Sequence, residues 1–268
     1  MKVIEFLNRI KDIGLPLSDG YDLISWALNI EYTQAKSINI IDDNVVENIL
    51  NILSKNIPTA YITNRREFYG REFFVDNNVL IPRVESEIIV NQALEYLKNI
   101  NNGKVLDLCT GSGCLLISVI AECMGATGLG IDISKEAINV AEINSKKFKT
   151  NNLIKFECGN ILNYDWKKDY FDVILCNPPY LSNDEYEKCD DKVKYEPKIA
   201  LVAEDDGLLF YKNILSKISI LCKKGSILLF ELGYKQKNDI EKIVTKLNLN
   251  YEFIKDYFGI NRVLKIVV

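Results

Sequence analysis

The chain has 268 residues, 48% hydrophobic and 26% charged, with a net charge of -4 and a pI near 5.2. This balance fits a folded protein with a sizeable core, either one large domain or a moderate domain plus a small one, and excludes a disordered chain. Neither end carries the basic tail expected of a duplex-DNA or long-RNA binder, and the complete lack of histidine excludes His-based triads and H-E-x-x-H zinc sites.

The N-terminal stretch MKVIEFLNRIKDIG is too charged for a signal peptide, and no apolar run approaches the ~18 residues of a membrane span. A cytoplasmic location is expected. The seven cysteines, Cys109, Cys114, Cys123, Cys158, Cys176, Cys189 and Cys222, are odd in number and form no C-x-x-C pair. They read as reduced packing residues, not a disulfide framework or a zinc ribbon.

Residues 1–60 show helical spacing. Ile4, Leu7 and Ile10, then Leu23, Ile24, Ala27 and Leu28, then Val45, Ile49, Ile52 and Leu53 recur at intervals of three and four, and Pro58 closes the region. A small helical domain is predicted. Residues 61–82 change character: REFYGREFFVDNNVLIPR holds Phe and Val at near-alternating positions, with Asp76-Asn77-Asn78 as the expected turn of a β-hairpin linker. Residues 83–268 form the third section, where helices and strands alternate. Helices are predicted over 85–98, 113–123, 135–147, 207–222 and 236–247. Strands are predicted over 104–108, 127–131, 154–157, 171–176 and 226–232, with a closing antiparallel hairpin over 251–255 and 263–267 around Gly259. Such alternation implies a parallel sheet covered by helices on both faces.

Asp107-Leu-Cys-Thr-Gly111-Ser-Gly113 falls where the first core strand turns into a helix, and ligands of such sheets bind outside the carboxyl ends of the strands. Asp132, at the end of the next strand, is placed to grip the hydroxyls of a ribose. The third glycine of a phosphate loop is missing, with Leu116 in its place, and no Lys-Ser or Lys-Thr follows. A carboxylate at a strand end repels phosphates but suits an amino-acid moiety. Adenosine carrying an amino acid is S-adenosylmethionine; a plain strand-helix turn with a solvated Asp is the alternative.

Asn177-Pro178-Pro179-Tyr180 follows the strand 171–176 directly. Its prolines stiffen the turn. The Asn177 side-chain oxygen and the Pro178 carbonyl offer two acceptors for the two hydrogens of one NH₂ group, and Tyr180 offers an aromatic face for a planar one. Holding both hydrogens lets a delocalised nitrogen pyramidalise toward an activated methyl and stabilises the charge that develops. No histidine is required. The plainer reading is a rigid proline turn.

With these motifs the chain resembles the HemK/PrmC family, the protein-(glutamine-N5) methyltransferases that act on peptide-chain release factors. The resemblance runs through Glu67–Gly70, Val79–Glu87, Asp107–Gly113, Asp132–Ser134, Asn177–Tyr180, Tyr195-Glu-Pro197 with Ala200-Leu201, Asp206–Leu208, Glu231–Gly233 with Gln236, and Gly259 with Arg262. Asn177–Tyr180 alone is shared with adenine-N6 nucleic-acid methyltransferases, which remain the competing reading. The chain departs from the family at Cys109, usually Gly, and in Pro82-Arg-Val-Glu-Ser-Glu87, usually Pro-Arg-Pro-Glu-Thr-Glu.

The resemblance implies a Rossmann-like α/β methyltransferase sheet with an antiparallel edge strand, preceded by a helical substrate-recognition domain. It implies methyl transfer from S-adenosylmethionine, leaving S-adenosylhomocysteine, to the glutamine of a Gly-Gly-Gln motif in support of translation termination. It also implies no metal, no membrane and no direct nucleic-acid substrate. Asp107, Cys109, Thr110, Gly111, Ser112, Gly113, Asp132, Ile133, Asn160 and Ile161, together with Asn177, are the expected cofactor residues. Asn177, Pro178, Pro179 and Tyr180 are the expected catalytic and substrate-binding residues. Asn160 would meet the adenine amine through its amide oxygen, and Ile161 would pack on the adenine or simply on the core. Arg83, Glu85 and Glu87 read either as a wall over the cofactor or as charges at a helix start. Glu196 reads as a surface charge or as part of a loop beyond the pocket.

Overall fold

A computed structural model describes residues 1–166 and 171–268. The chain divides into two compact units, Met1–Arg65 with Asp190–Tyr195, and Arg66–Cys189 with Glu196–Val268.

The first unit is helical. Its main helices are Val3–Asp12, Leu17–Leu28 and Asp43–Leu53. Val3, Phe6, Leu7 and Ile10 form a single stripe at helical spacing and pack with Leu23, Ile24 and Ile49. The second helix stops where Asn29 adopts a left-handed conformation, φ 52°. The Asp42 side chain caps the third by accepting from the Asn44 N–H. The returning segment 190–195 belongs to this unit, and the Tyr195 hydroxyl donates to the Lys55 carbonyl at 2.8 Å. No sequence pattern announced that return.

A hairpin of β1 (Arg65–Phe68) and β2 (Arg71–Phe74) follows, and from Arg66 onward it belongs to the second unit. Its turn lies at Tyr69-Gly70, both left-handed at φ 50° and 65°, not at Asp76–Asn78 as predicted. Two consecutive positive φ values give the tight turn whose twist matches paired strands. Asp76 instead makes a separate turn, accepting from the Asn78 N–H at 3.0 Å, that leads into Val79–Arg83. The hairpin is more than a linker. Phe68 and Phe73 are buried in the core, edge to face at 6.1 Å, with Ile89 and Val90 of the helix Glu87–Leu97.

A seven-stranded sheet follows: β3 (Lys104–Leu108), β4 (Thr127–Asp132), β5 (Ile154–Cys158), β6 (Phe171–Cys176), β7 (Cys222–Glu231), β8 (Asn250–Lys255) and β9 (Asn261–Val267). Their spatial order is β5-β4-β3-β6-β7-β9-β8. β3 to β7 are parallel, and β9 runs antiparallel between β7 and β8. The closing hairpin therefore forms the sheet edge, with its antiparallel strand one place in. All six residues of β6 are buried, as in a central parallel strand covered on both faces.

The helix predicted over 207–222 is broken into Leu209–Ser216 and Ile218–Leu221. Lys217 lies at the break, and its ammonium donates to the carbonyls of Ile161 and Leu162. Cys222 is already extended and begins β7, pairing with Phe171 ahead of a register shift. The exposed polar residues in the bulged stretch hid this start of the strand from the sequence pattern.

The chain lays down β3, β4 and β5 in one direction and then returns to β6 on the other side of β3. That reversal opens a crevice outside the carboxyl ends of β3 and β6. Among the described residues no helix is long and apolar enough to cross a membrane.

Candidate active site

The crevice holds a cavity lined by four strand ends and by the segment beyond the hairpin. Cys109, Thr110, Gly111 and Ser112 line it after β3, Asp132 and Ile133 at the end of β4, and Asn177 and Pro179 after β6. Asn160 and Ile161 line it after β5, and Val79, Pro82, Arg83 and Ser86 from the segment beyond the hairpin. Ten of the expected site residues thus share one wall.

Asp107, Gly113, Pro178 and Tyr180 are not part of that lining. Asp107 is fully buried beneath the loop, where its Oδ2 accepts from the Thr110 hydroxyl at 2.6 Å. Burial pushes its pKa up to about 7, against the pull of the Thr110 hydroxyl, with the Asp132 charge adding to the rise. Asp107 therefore supports the loop from below through the Thr110 hydroxyl. Gly113 packs on the helix Lys135–Lys147, where a Cβ would lie 3.2 Å from that of Ala141. Pro178 is buried.

Cys109 takes φ 61°, a left-handed conformation that costs an L-residue about 1–2 kcal/mol. Its side chain packs against the core cluster around Cys176 and Leu106. Asn144 fastens this loop to the hairpin: its amide donates to the carbonyls of Ser112 and Phe74, both at 2.9 Å, and accepts from the Phe74 N–H at 2.7 Å. Asn144 was not singled out in the sequence. The available signal was an amide on the same stripe as Ala137, Val140 and Ala141, because a fully buried polar side chain needs partners.

Asp132 accepts from two backbone N–H groups, Gly111 at 2.9 Å and Ser134 at 3.0 Å. Burial raises its pKa, and these N–H groups work against the rise. Each oxygen keeps a lone pair for a hydroxyl of a ligand. Asn160 lines the cavity, and its Oδ1 accepts from the Leu162 N–H at 3.0 Å, which leaves one lone pair of that oxygen for a further donor. Ile161 satisfies both readings, since it lines the cavity and belongs to the core.

Asn177–Tyr180 is held by its backbone. The Tyr180 N–H donates to Leu201 O, and Tyr180 O accepts from the Gln236 amide at 3.0 Å. Gln236 uses both ends of its amide, donating also to Gly207 O and accepting from the Gly233 N–H and the Tyr211 hydroxyl. The partly buried Tyr180 ring packs against the core and over Gly233. Burial raises its pKa, so it stays a neutral phenol.

The wall Val79–Arg83 is fastened by Glu196, which is 4% exposed. One Glu196 oxygen accepts from the Ile81 N–H at 3.0 Å, and the other pairs with the Arg83 guanidinium. Glu196 is therefore an internal clip and not a surface charge. Glu87 accepts from the Tyr69 N–H at 2.8 Å and ties the hairpin turn to its helix.

A Rossmann-like sheet with a carboxylate at the end of β4, a left-handed glycine loop after β3 and Asn-Pro-Pro-Tyr after β6 defines an S-adenosylmethionine-dependent methyltransferase. The chemistry of the wall fits that donor. Asp132 is the single carboxylate among the described lining residues, Ile133 and Ile161 are apolar, and the single basic side chain among them, Arg83, is paired to Glu196. A polyphosphate ligand would lack counter-charge here.

The family described as Methyltransferase domain matches residues 100–263. A release factor glutamine methyltransferase of Clostridium acetobutylicum is 38% identical over 218 residues, 80% of this chain and 76% of that relative. The protein of the same name from Mycoplasma mycoides subsp. mycoides SC is 35% identical over 271 residues, 95% and 94% of the two chains. In fold, the chain is similar to the hMettl16 catalytic domain solved with a 3'UTR hairpin, at TM-score 0.61 and 19% identity over 78% of this chain and 80% of that one. The chain belongs to the release factor glutamine methyltransferase family.

Proposed function

We propose that this chain methylates the side-chain amide nitrogen of the glutamine in the Gly-Gly-Gln motif of a peptide-chain release factor. The observation that carries the reading is that Asn177 and Pro179 line the same cavity as Asp132 and the loop Cys109–Ser112. The amide acceptor and the donor site therefore open on one space. S-adenosylmethionine supplies an activated methyl on a sulfonium. The residues of the chain orient the partners: Asp132 holds the ribose, Asn177 Oδ1 and the Pro178 carbonyl take the two amide hydrogens, and the buried turn excludes water. A cytoplasmic location follows from that substrate.

The adenine-N6 reading shares Asn177–Tyr180, but it would need a base pocket with basic surroundings. Arg83, the single basic lining residue described, is already paired. Methyl transfer from labelled cofactor to purified release factor, duplex DNA and rRNA decides between the two. Transfer to adenine and none to release factor would overturn the assignment.

Asp132→Ala is expected to weaken S-adenosylmethionine binding by about 1–3 kcal/mol, the loss of charge-assisted hydrogen bonds to the ribose. Calorimetry reads this directly, and unchanged affinity would remove Asp132 from the ribose.

A glutamine on a folded protein needs contacts beyond a pocket that sees only an amide, and the helical N-terminal unit is the natural source of them. A cut at Asn77 would strip Phe68 and Phe73 from the methyltransferase core, so the informative deletion removes Met1–Arg65 and leaves a chain that begins at Arg66. That shortened protein is expected to bind cofactor but to lose most activity on intact release factor. A full-length rate after deletion would exclude the recognition role.

A further inference from the structure

Three side chains from distant parts of the chain meet behind the proposed acceptor. Asn177 Nδ2 donates to Ser86 Oγ at 3.4 Å, a long bond of the kind that tightens when a site fills. The Ser86 hydroxyl in turn donates to Glu231 Oε2. Ser86 closes the 3-10 turn Val84–Ser86, and Glu231 is the last residue of β7; both are 2% exposed. A carboxylate left in an apolar strand end has a specific reason to be there, because burying it without a partner is costly.

The direction of these bonds carries the argument. A serine hydroxyl has one proton. With that proton given to Glu231, Ser86 can only accept, so it selects the NH₂ end of Asn177. The amide oxygen is then the end presented to the cavity that Asn177 lines. The flipped amide would turn donors toward the donors of a substrate NH₂, and the acceptor would be lost. We propose that Glu231 and Ser86 are positioning residues that hold the Asn177 amide in its acceptor orientation for methyl transfer. This rests on the proposed use of Asn177 as the acceptor of the substrate amide.

The surroundings of Glu231 make the relay sensitive to pH. It is faced by Arg262 of β9, by Arg83 and Glu85 of the segment before Glu87, by Cys176 at the end of β6 and Tyr180 in the turn after it, by Tyr211 of the helix Leu209–Ser216, and by Cys114 of the helix Cys114–Glu122. Burial pushes Glu231 up to about 7, with the Ser86 bond and the arginines pulling it back. Once protonated, Glu231 can donate to Ser86, whose own proton is then free to meet Asn177 Oδ1 and favour the flipped amide.

The test uses the full chain and intact release factor, with kinetics and cofactor calorimetry on Ser86→Ala, Ser86→Thr and Glu231→Gln. Ser86→Ala should lower kcat about tenfold or more, the rate equivalent of one lost orienting hydrogen bond. KM and cofactor Kd should stay within a few-fold, and Ser86→Thr should retain the rate. The wild-type rate should fall on the acid side of about pH 7. Glu231→Gln, which keeps the shape, should abolish that limb. A wild-type kcat in Ser86→Ala, an equal loss in Ser86→Thr, or a limb that survives in Glu231→Gln would each overturn the relay. The NMR signal of the Asn177 side-chain NH₂ provides a reading independent of substrate. It should move in Ser86→Ala and not in Ser86→Thr, and an unmoved signal in Ser86→Ala overturns the relay. Should wild type transfer nothing to release factor, the proposed substrate fails while this signal still decides the relay.

Discussion

Asn177→Ala should cut methyl transfer by ~10²-fold or more while leaving S-adenosylmethionine affinity within a few-fold, the pattern for loss of a preorganised transition-state contact. An amide nitrogen is a poor nucleophile because its lone pair is delocalised into the carbonyl. Attack on the methyl requires that lone pair to localise, and positive charge then grows on the nitrogen and its hydrogens. An acceptor fixed where the hydrogens will be stabilises that charge without reorganising. Alanine keeps the backbone of a turn that Leu201 and Gln236 already hold at Tyr180, so cofactor binding should survive. Single-turnover transfer to release factor measures the chemical step, and calorimetry measures the cofactor. A surviving rate would show that Asn177 is an ordinary turn residue.

Gly207→Ala should be among the most damaging single-methyl changes in the chain. Asp205, Asp206 and Gly207 are three successive left-handed residues, at φ 58°, 52° and 80°. A Cβ on Gly207 would lie 2.1 Å from the Tyr180 carbonyl oxygen and 2.7 Å from the Gln236 amide nitrogen. The first obstacle is backbone and cannot rotate away. Either residues 205–207 or the turn that presents Asn177 must move. Gly259 provides a matched control, since it has the same φ of 80° with nothing within 4 Å of its Cβ position. Gly259→Ala should cost about 1 kcal/mol from backbone strain alone. Gly207→Ala adds overpacking against fixed atoms, so about 3–5 kcal/mol is expected in denaturant unfolding. Any folded protein recovered should bind cofactor yet transfer methyl poorly. Equal unfolding midpoints for the two variants would show that the Tyr180 contact is not rigid.

Much of the fold was legible because its signals are short-range. Lys104–Leu108, Lys135–Lys147 and Phe171–Cys176 coincide with the elements read from periodicity. Apolar spacing and caps such as Ser134, which accepts from the Ala137 N–H, act within a few residues. The hairpin turn was misplaced because Asp76-Asn77-Asn78 has turn chemistry too; a second turn there satisfies that chemistry without reversing strands. The break at Lys217 was illegible because the carbonyls that draw its ammonium lie at Ile161 and Leu162, far back in the chain.

The sequence by itself determined that the chain alternates helices and strands after a helical beginning, and that a glycine loop, Asp132 and Asn177–Tyr180 each follow a strand. In a parallel sheet that alone brings them to one edge, because parallel strands end on the same side. Only the tertiary structure decided that β9 inserts between β7 and β8, that the hairpin joins the methyltransferase core, and that residues 190–195 belong with the N-terminal helices. It also decided what each polar side chain is for. Glu196 read equally as a surface charge or as part of a loop beyond the pocket until Ile81 and Arg83 met it, and nothing in the sequence showed that the Asn160 oxygen also accepts from Leu162. Ser86 and Glu231 had no visible relation until they met behind Asn177. Such pairings depend on the direction of individual hydrogen bonds between segments remote in the chain. Periodicity reports which face a residue occupies, and it carries no information about which partner waits there.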